Sequence, residues 1–248
     1  MRFQISAAIA GLGLAGAAAA AQTMPAGFYL RGDLGGGFGQ NVTFTDTNPN
    51  AANCDLCGAQ LPATINNSIL FGGGVGYRFS PLLRGDVTVD DLPSFSLHGS
   101  TTLPAGSPSG SASFSSLVVM GNGYLDMNGL YPEAFGLWEP YVTAGVGVSW
   151  NDVGAFSGAF TSGELAGVTF NEVGSTRANF AWGAGVGVGY PITPSLTFDL
   201  GYKYLDLGEL RSGTTETSVP MILPTSITAS KSTDFAVHTI IASLRFAF

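Results

Sequence analysis

Residues 179–207, NFAWGAGVGVGYPITPSLTFDLGYKYLDL, admit few folds. From Phe180 the even positions read Phe180, Trp182, Ala184, Val186, Val188 and Tyr190, while the odd ones read Asn179, Ala181, Gly183, Gly185, Gly187 and Gly189. That is period two, the mark of an extended strand with two unlike faces. After a turn at Ile192, Thr193 and Pro194 the alternation resumes: Leu196, Phe198, Leu200, Tyr202 and Tyr204 share one face, Thr197, Asp199, Gly201 and Lys203 the other. The charges lie opposite the aromatics, on a face whose other side chains are small. A hairpin that is greasy outside and carries Gly, Asp and Lys inside is what a membrane-spanning β-barrel requires.

Composition points the same way. Of 248 residues, 45% are hydrophobic and only 10% charged, with 36 Gly and 13 Pro. Soluble domains carry roughly a quarter charged residues, so groups that solvate a surface are scarce here. Beyond the extreme N-terminus no apolar run approaches the roughly 20 residues of a membrane helix, because glycines interrupt each one. A formal charge of -8 argues against nucleic acid as a partner. Residues 1–21 read as a signal peptide: Arg2 supplies the basic start, residues 5–16 the apolar stretch, and Ala19, Ala20 and Ala21 the small residues of a cleavage site. The expected organisation is a signal peptide over 1–21 and one barrel domain over 22–248.

Alternation predicts further strands at 27–39, 68–79, 83–92, 115–127, 138–150 and 235–248, with the hairpin supplying two more. The fold expected is all-β: a closed antiparallel transmembrane barrel of about eight strands with up-and-down topology. Connections alternate between long polar stretches (41–65, 93–113, 152–176, 208–232) and short ones (near Pro81, 128–137, near Pro194). Outer-membrane barrels have that asymmetry, with long outside loops and short periplasmic turns. The aromatics sort by height in the same frame. Phe28, Tyr77, Phe79, Trp138, Tyr190, Phe246 and Phe248 fall near the short-turn end, and Trp150, Phe180, Trp182, Tyr202 and Tyr204 near the other, as two girdles.

The inward charges are Arg31, Asp33, Arg78, Arg84, Asp86, Asp90, Asp126, Asp199, Lys203 and Arg245, as many cations as anions. The interior of an eight-stranded barrel is just wide enough to be filled by side chains. Charges there must pair or cost several kcal/mol each. A network that plugs the lumen and one that lines a narrow solute path use the same residue types, so both readings stand. Cys54 and Cys57 form a C-x-x-C pair in a segment with no helix signal. It reads as a local disulfide, with metal binding and redox chemistry as weaker alternatives.

The last residues, FAVHTIIASLRFAF, alternate and stop on Phe248. With the strand Gly201-Tyr202-Lys203-Tyr204-Leu205-Asp206-Leu207-Gly208 they resemble the OmpA-like and opacity-type small outer-membrane barrels. In motif the likeness runs from about Glu139 onward. The resemblance implies that Phe246 and Phe248 form the C-terminal signal read by the barrel-assembly machinery. It does not extend to the peptidoglycan-binding domain of full OmpA proteins, for which no segment is seen. Enzymatic barrels need a His beside a carboxylate or Ser. His98 falls in a Ser-rich predicted loop and His238 points toward lipid or its upper interface, and neither has a recognisable partner spacing. The expectation is a non-enzyme without cofactor or metal, structural and adhesin-like at the surface, with a narrow porin-like channel as alternative and a lipid-acting enzyme a distant third. Expected partners are outer-membrane lipid, lipopolysaccharide and a host or environmental surface ligand. Arg177, Arg211 and Lys231 lie close to strand ends, placed for lipid phosphates.

Overall fold

A computed structural model of the chain describes residues 26–46, 60–102, 106–213, 216–219 and 231–248. The predicted signal peptide and the Cys54/Cys57 pair lie outside the described residues. The strands are β1 (Gly27–Phe38), β2 (Asn41–Asp46), β3 (Gln60–Ile65), β4 (Ser68–Arg78), β5 (Leu83–Ser100), β6 (Pro108–Asp126), β7 (Glu139–Val153), β8 (Phe156–Phe160), β9 (Thr169–Glu172), β10 (Ser175–Pro191), β11 (Leu196–Arg211), β12 (Glu216–Val219) and β13 (Lys231–Ala247).

The long strands β1, β4, β5, β6, β7, β10, β11 and β13 each pair antiparallel with the next, and β13 returns to β1 through Tyr29↔Ala247 to Phe38↔His238. The sheet is a closed up-and-down barrel, and closure leaves these strands no open edge for lipid to meet. Its turn end is built locally. The Ser80 hydroxyl accepts from the backbone N–H groups of Leu82 and Leu83 at 3.3 and 3.1 Å, and Thr193 Oγ1 accepts from Leu196 N at 3.0 Å. Such side-chain turns set two-strand reversals without long loops.

The outer face is apolar where a soluble protein would be polar. Phe28, Leu34 and Phe180 are 61%, 65% and 67% exposed, in a continuous belt with Val75, Val87 and Leu244. Lipid is the solvent that such a belt suits. At its upper border Asp152 and Asp206 follow Trp150 and Tyr204 two residues along the same face.

Above that border the structure corrects the predicted loops. Residues 93–113 were expected to be irregular, yet β5 runs on to Ser100 and β6 begins at Pro108. Residues 152–176 contain β8 and β9, 41–65 contain β2 and β3, and 208–232 contain the end of β11, β12 and the start of β13. Pairing of β2 with β13 and of β3 with β5 sets this second hairpin where β1 and β4 have stopped, so the ring continues upward. On the other side β8, β9 and β12 add to β6 in turn. Ser, Thr and Gly are adequate for strands outside lipid, where the outward face need not be apolar. Their polarity therefore concealed the strands.

Candidate functional site

The barrel interior gathers charged side chains in layers. Nearest the turn end, Arg84 gives Nε to Asp126 at 3.0 Å, with its guanidinium 4.2 Å from the ring centre of Tyr124 and 4.6 Å from that of Tyr141. Arg78 lies 3.6 Å from Asp126 and 3.5 Å from Glu139. Arg245 binds Glu139 at 3.1 Å and Asp199 at 3.1 Å. Three guanidinium groups thus face three carboxylates, all buried. Desolvation of so many charges is tolerable only with close partners of this kind.

One layer up, Arg31 donates Nε and Nη2 to Asp33 at 3.0 and 2.7 Å, Nη2 to Ser243 Oγ at 3.0 Å and Nη1 to Asp86 at 3.0 Å and to the Tyr124 hydroxyl. Asp86 also accepts from Tyr29 at 3.1 Å, Asn122 at 2.9 Å and Tyr124 at 3.2 Å. Lys203 Nζ donates to Asn122 Oδ1 at 2.6 Å. Beside it is a cavity of about 30 Å³ whose lining includes Arg31, Asp33, Asp90, Asn122, Lys203 and Ser243. Asp90 Oδ1 is buried without a hydrogen-bond partner among the described residues. A polar cavity of this size has room for water.

Inward glycines make space for these long side chains. A Cβ on Gly76 would stand 2.2 Å from Tyr29 Cζ, and one on Gly187 would stand 2.4 Å from Tyr141 Cζ. The glycine run of β10 is therefore a smooth wall on which side chains of the adjoining strands β7 and β11, such as Tyr141 and Leu205, lie.

Toward the loop end the interior changes character. Phe95 stacks on Phe114 at 4.8 Å, and Phe235 stands edge-on to both at 5.3 and 5.1 Å. Leu70, Leu92, Leu97, Leu205, Leu207, Leu210 and Val237 pack with them into one buried apolar cluster. Two bulges aim Phe95, Leu97 and Leu210 into this cluster. The register shifts between Leu92 and Phe95 on β5 and between Asp206 and Glu209 on β11, so the inward parity switches from even to odd on β5 and from odd to even on β11.

The ten charges expected to face inward, Arg31, Asp33, Arg78, Arg84, Asp86, Asp90, Asp126, Asp199, Lys203 and Arg245, all lie in the lumen. Glu139, Tyr29, Tyr124, Tyr141 and Asn122 belong to the same network and were not singled out by sequence. With Glu139 the carboxylates exceed the cations by one. Alternation from Tyr141 back to the first residue of β7 is the signal that would have found Glu139. At the turn end Phe28 meets Tyr77 at 4.8 Å, Tyr77 meets Phe79 at 5.1 Å, Trp138 meets Tyr190 at 5.0 Å and Phe246 meets Phe248 at 6.4 Å. At the other border Trp182 meets Tyr204 at 5.5 Å. His238 lies outward between Tyr202 and Tyr204, with Nδ1 2.6 Å from the Tyr202 hydroxyl. His98 is an exposed strand residue opposite Ser111 and Thr64, which corrects its expected place in a loop. Arg177 is exposed near the start of β10, Arg211 lies 3.6 Å from Glu209, and Lys231 pairs through its backbone with Asp46.

Comparison with known proteins places this geometry. The family model described as "Outer membrane protein beta-barrel domain" matches residues 7–246. An uncharacterized protein of Brucella suis is 28% identical over 251 residues, covering 90% of this chain and 85% of its own length. A Rickettsia conorii protein named as a candidate adhesin is 27% identical over 226 residues, covering 88% and 81%. Among solved structures, the outer membrane protein OprG of Pseudomonas aeruginosa superposes with a TM-score of 0.56 at 14% identity, covering 90% of this chain and 96% of that one. At that identity the likeness shows the fold alone.

Proposed function

The chain belongs to the outer membrane protein β-barrel domain family, and from that premise we propose that it is a non-enzymatic surface protein with a sealed lumen. In this reading it contributes to membrane integrity and makes surface contacts through the strands raised above the lipid. Its location is the bacterial outer membrane, with the apolar belt in contact with membrane lipid. The observation that carries the sealed reading is the filling of the interior in two unlike layers. Below, Arg78, Arg84 and Arg245 are tied to Asp126, Glu139 and Asp199; above, Phe95, Phe114 and Phe235 pack on one another inside the bore. A narrow-channel reading needs a continuous polar path, and the upper apolar cluster weighs against one.

Surface contact is supported by the adhesin-like name of the Rickettsia conorii relative and by the sheet that β6, β8, β9 and β12 form above the belt. Exposed Arg177 and half-exposed Arg211 suit contact with lipopolysaccharide phosphates. Phe246 and Phe248, at the end of a strand that closes the ring, suit recognition by the barrel-assembly machinery. Vesicles carrying the refolded chain and loaded with impermeant dextran test the sealed lumen: they are expected not to swell when small sugars are added outside. Replacing residues 96–112 by a short turn, with the barrel still folded, is expected to lower attachment to host or environmental surfaces. Undiminished attachment would remove the adhesin part of the proposal.

A further inference from the structure

The connection between β6 and β7 differs in make-up from the other two at the turn end. Residues 127–138, MNGLYPEAFGLW, carry one charge, Glu133. They expose Leu130, Tyr131, Phe135 and Trp138 by 53%, 61%, 38% and 54%. Yet this is no slack loop. The Met127 carbonyl accepts from the backbone N–H groups of Leu130 and Tyr131 at 3.0 and 2.9 Å, the Tyr131 carbonyl from Ala134 at 3.1 Å, and the Phe135 carbonyl from Trp138 at 3.1 Å. Asn128 Nδ2 donates to the Trp138 carbonyl at 3.0 Å and draws the two ends together. Gly129 sits so close to the neighbouring turn that a Cβ would stand 2.4 Å from Leu82 Cα. Gly136, at a φ of 60°, takes the left-handed turn that lets the chain return. The segment is a compact knob that holds large apolar side chains outward.

Water is a poor solvent for such a surface, and the wall beside it indicates what covers it. Trp138 packs on Tyr190 at 5.0 Å, and Tyr190 is part of the lipid-facing aromatic belt. Phe79, Leu83 and Ile192, all exposed, extend that belt along the same border. The knob continues the lipid-contacting surface past its lower edge. We propose that residues 127–138 insert into the headgroup–acyl boundary of the periplasmic leaflet as an interfacial anchor for phospholipid. The segment carries no Lys or Arg, so the attraction is apolar burial and not headgroup charge, as in monotopic anchors with aromatic faces.

Spin labels on the full chain test this. In a Cys54→Ser, Cys57→Ser background, a nitroxide is placed at Tyr131→Cys or at Glu133→Cys, and the refolded protein is studied in phosphatidylethanolamine/phosphatidylglycerol vesicles. The label at 131 is expected to collide with oxygen in preference to a water-soluble nickel chelate, by a ratio at least about threefold that at 133. Equal nickel access at both sites, as a knob reserved for a periplasmic protein would give, overturns the proposal. As a second reading, Leu130→Ser, Tyr131→Ser and Phe135→Ser together are expected to leave folding in detergent intact. They should slow insertion into the same vesicles at least about fivefold, with little dependence on salt. An unchanged insertion rate also overturns it, and a failure to fold in detergent leaves the decision to the labels.

Discussion

Arg245 on β13 and Glu139 on β7 meet across the lumen, Nη2 to Oε2 at 3.1 Å, although 106 residues separate them in sequence. Strands β10 and β11 stand between them in the ring, so the contact spans the bore instead of following its wall. Arg245 also holds Asp199 on β11, and Glu139 also faces Arg78 on β4. One carboxylate and one guanidinium thereby join four strands at the turn end.

Removing one partner of that pair should be costly. Glu139→Gln is expected to lower stability by about 3–5 kcal/mol, the range for a broken buried ion pair. Asp152→Asn, on the exposed outer border, should stay within about 0.5 kcal/mol. Equilibrium urea unfolding in lipid vesicles measures both. Equal effects at the two sites would mean that the interior network is hydrated and weak.

The glycine wall makes a steric prediction. Gly187→Val drives its side chain into Tyr141 and should abolish the heat-modifiable folded form on gels. Pairing it with Tyr141→Ala returns the space, and part of the folded fraction should reappear. No recovery would show that β10 needs glycine for backbone reasons instead.

In the apolar layer, Phe235→Ala leaves a hole beside Phe95 and Phe114. The expected loss is about 3–5 kcal/mol in the same unfolding assay, without any opening of the lower ion-pair layer. Trp fluorescence should show no change in the girdle.

Asp90 and Lys203 face one cavity without a direct bond between them. Lys203→Met and Asp90→Asn should each destabilise, and the double variant should cost less than their sum by about 0.5–3 kcal/mol, the range for coupled neighbours. Strict additivity would show that the two charges do not share the cavity's field.

How much of this was legible in the sequence follows from where lipid acts. Between the two aromatic borders lipid demands apolar residues outward, so Leu30, Val75, Val87, Val186 and Leu244 declare the strands and leave Arg31, Asp86 and Asp199 to declare the interior. Above the border that demand ends. Ser109, Ser111 and Ser113 can then lie on a strand, which reads as loop, and Phe95, Phe114 and Phe235 can turn inward as in a soluble core. The bulges at Leu92/Phe95 and Asp206/Glu209 reset the parity where the two regimes meet. Simple alternation carried through those points places the wrong side chains inside. Nor does alternation reveal depth: that Tyr141 lies on Gly187 depends on the register in which β7 and β10 pair, which alternation along either strand alone does not set.

A sealed lumen is electrically silent, and single-channel recording in planar bilayers reads that out, with the heat-modifiable gel shift as the control for folding. The folded protein is expected to give no conductance steps above background. The Glu139→Gln and Phe235→Ala variants, each opening one layer only, should stay silent as well. Reproducible steps from the unmodified chain, altered when Arg84 or Asp199 is neutralised, would contradict a sealed lumen and make the same charges the lining of a path.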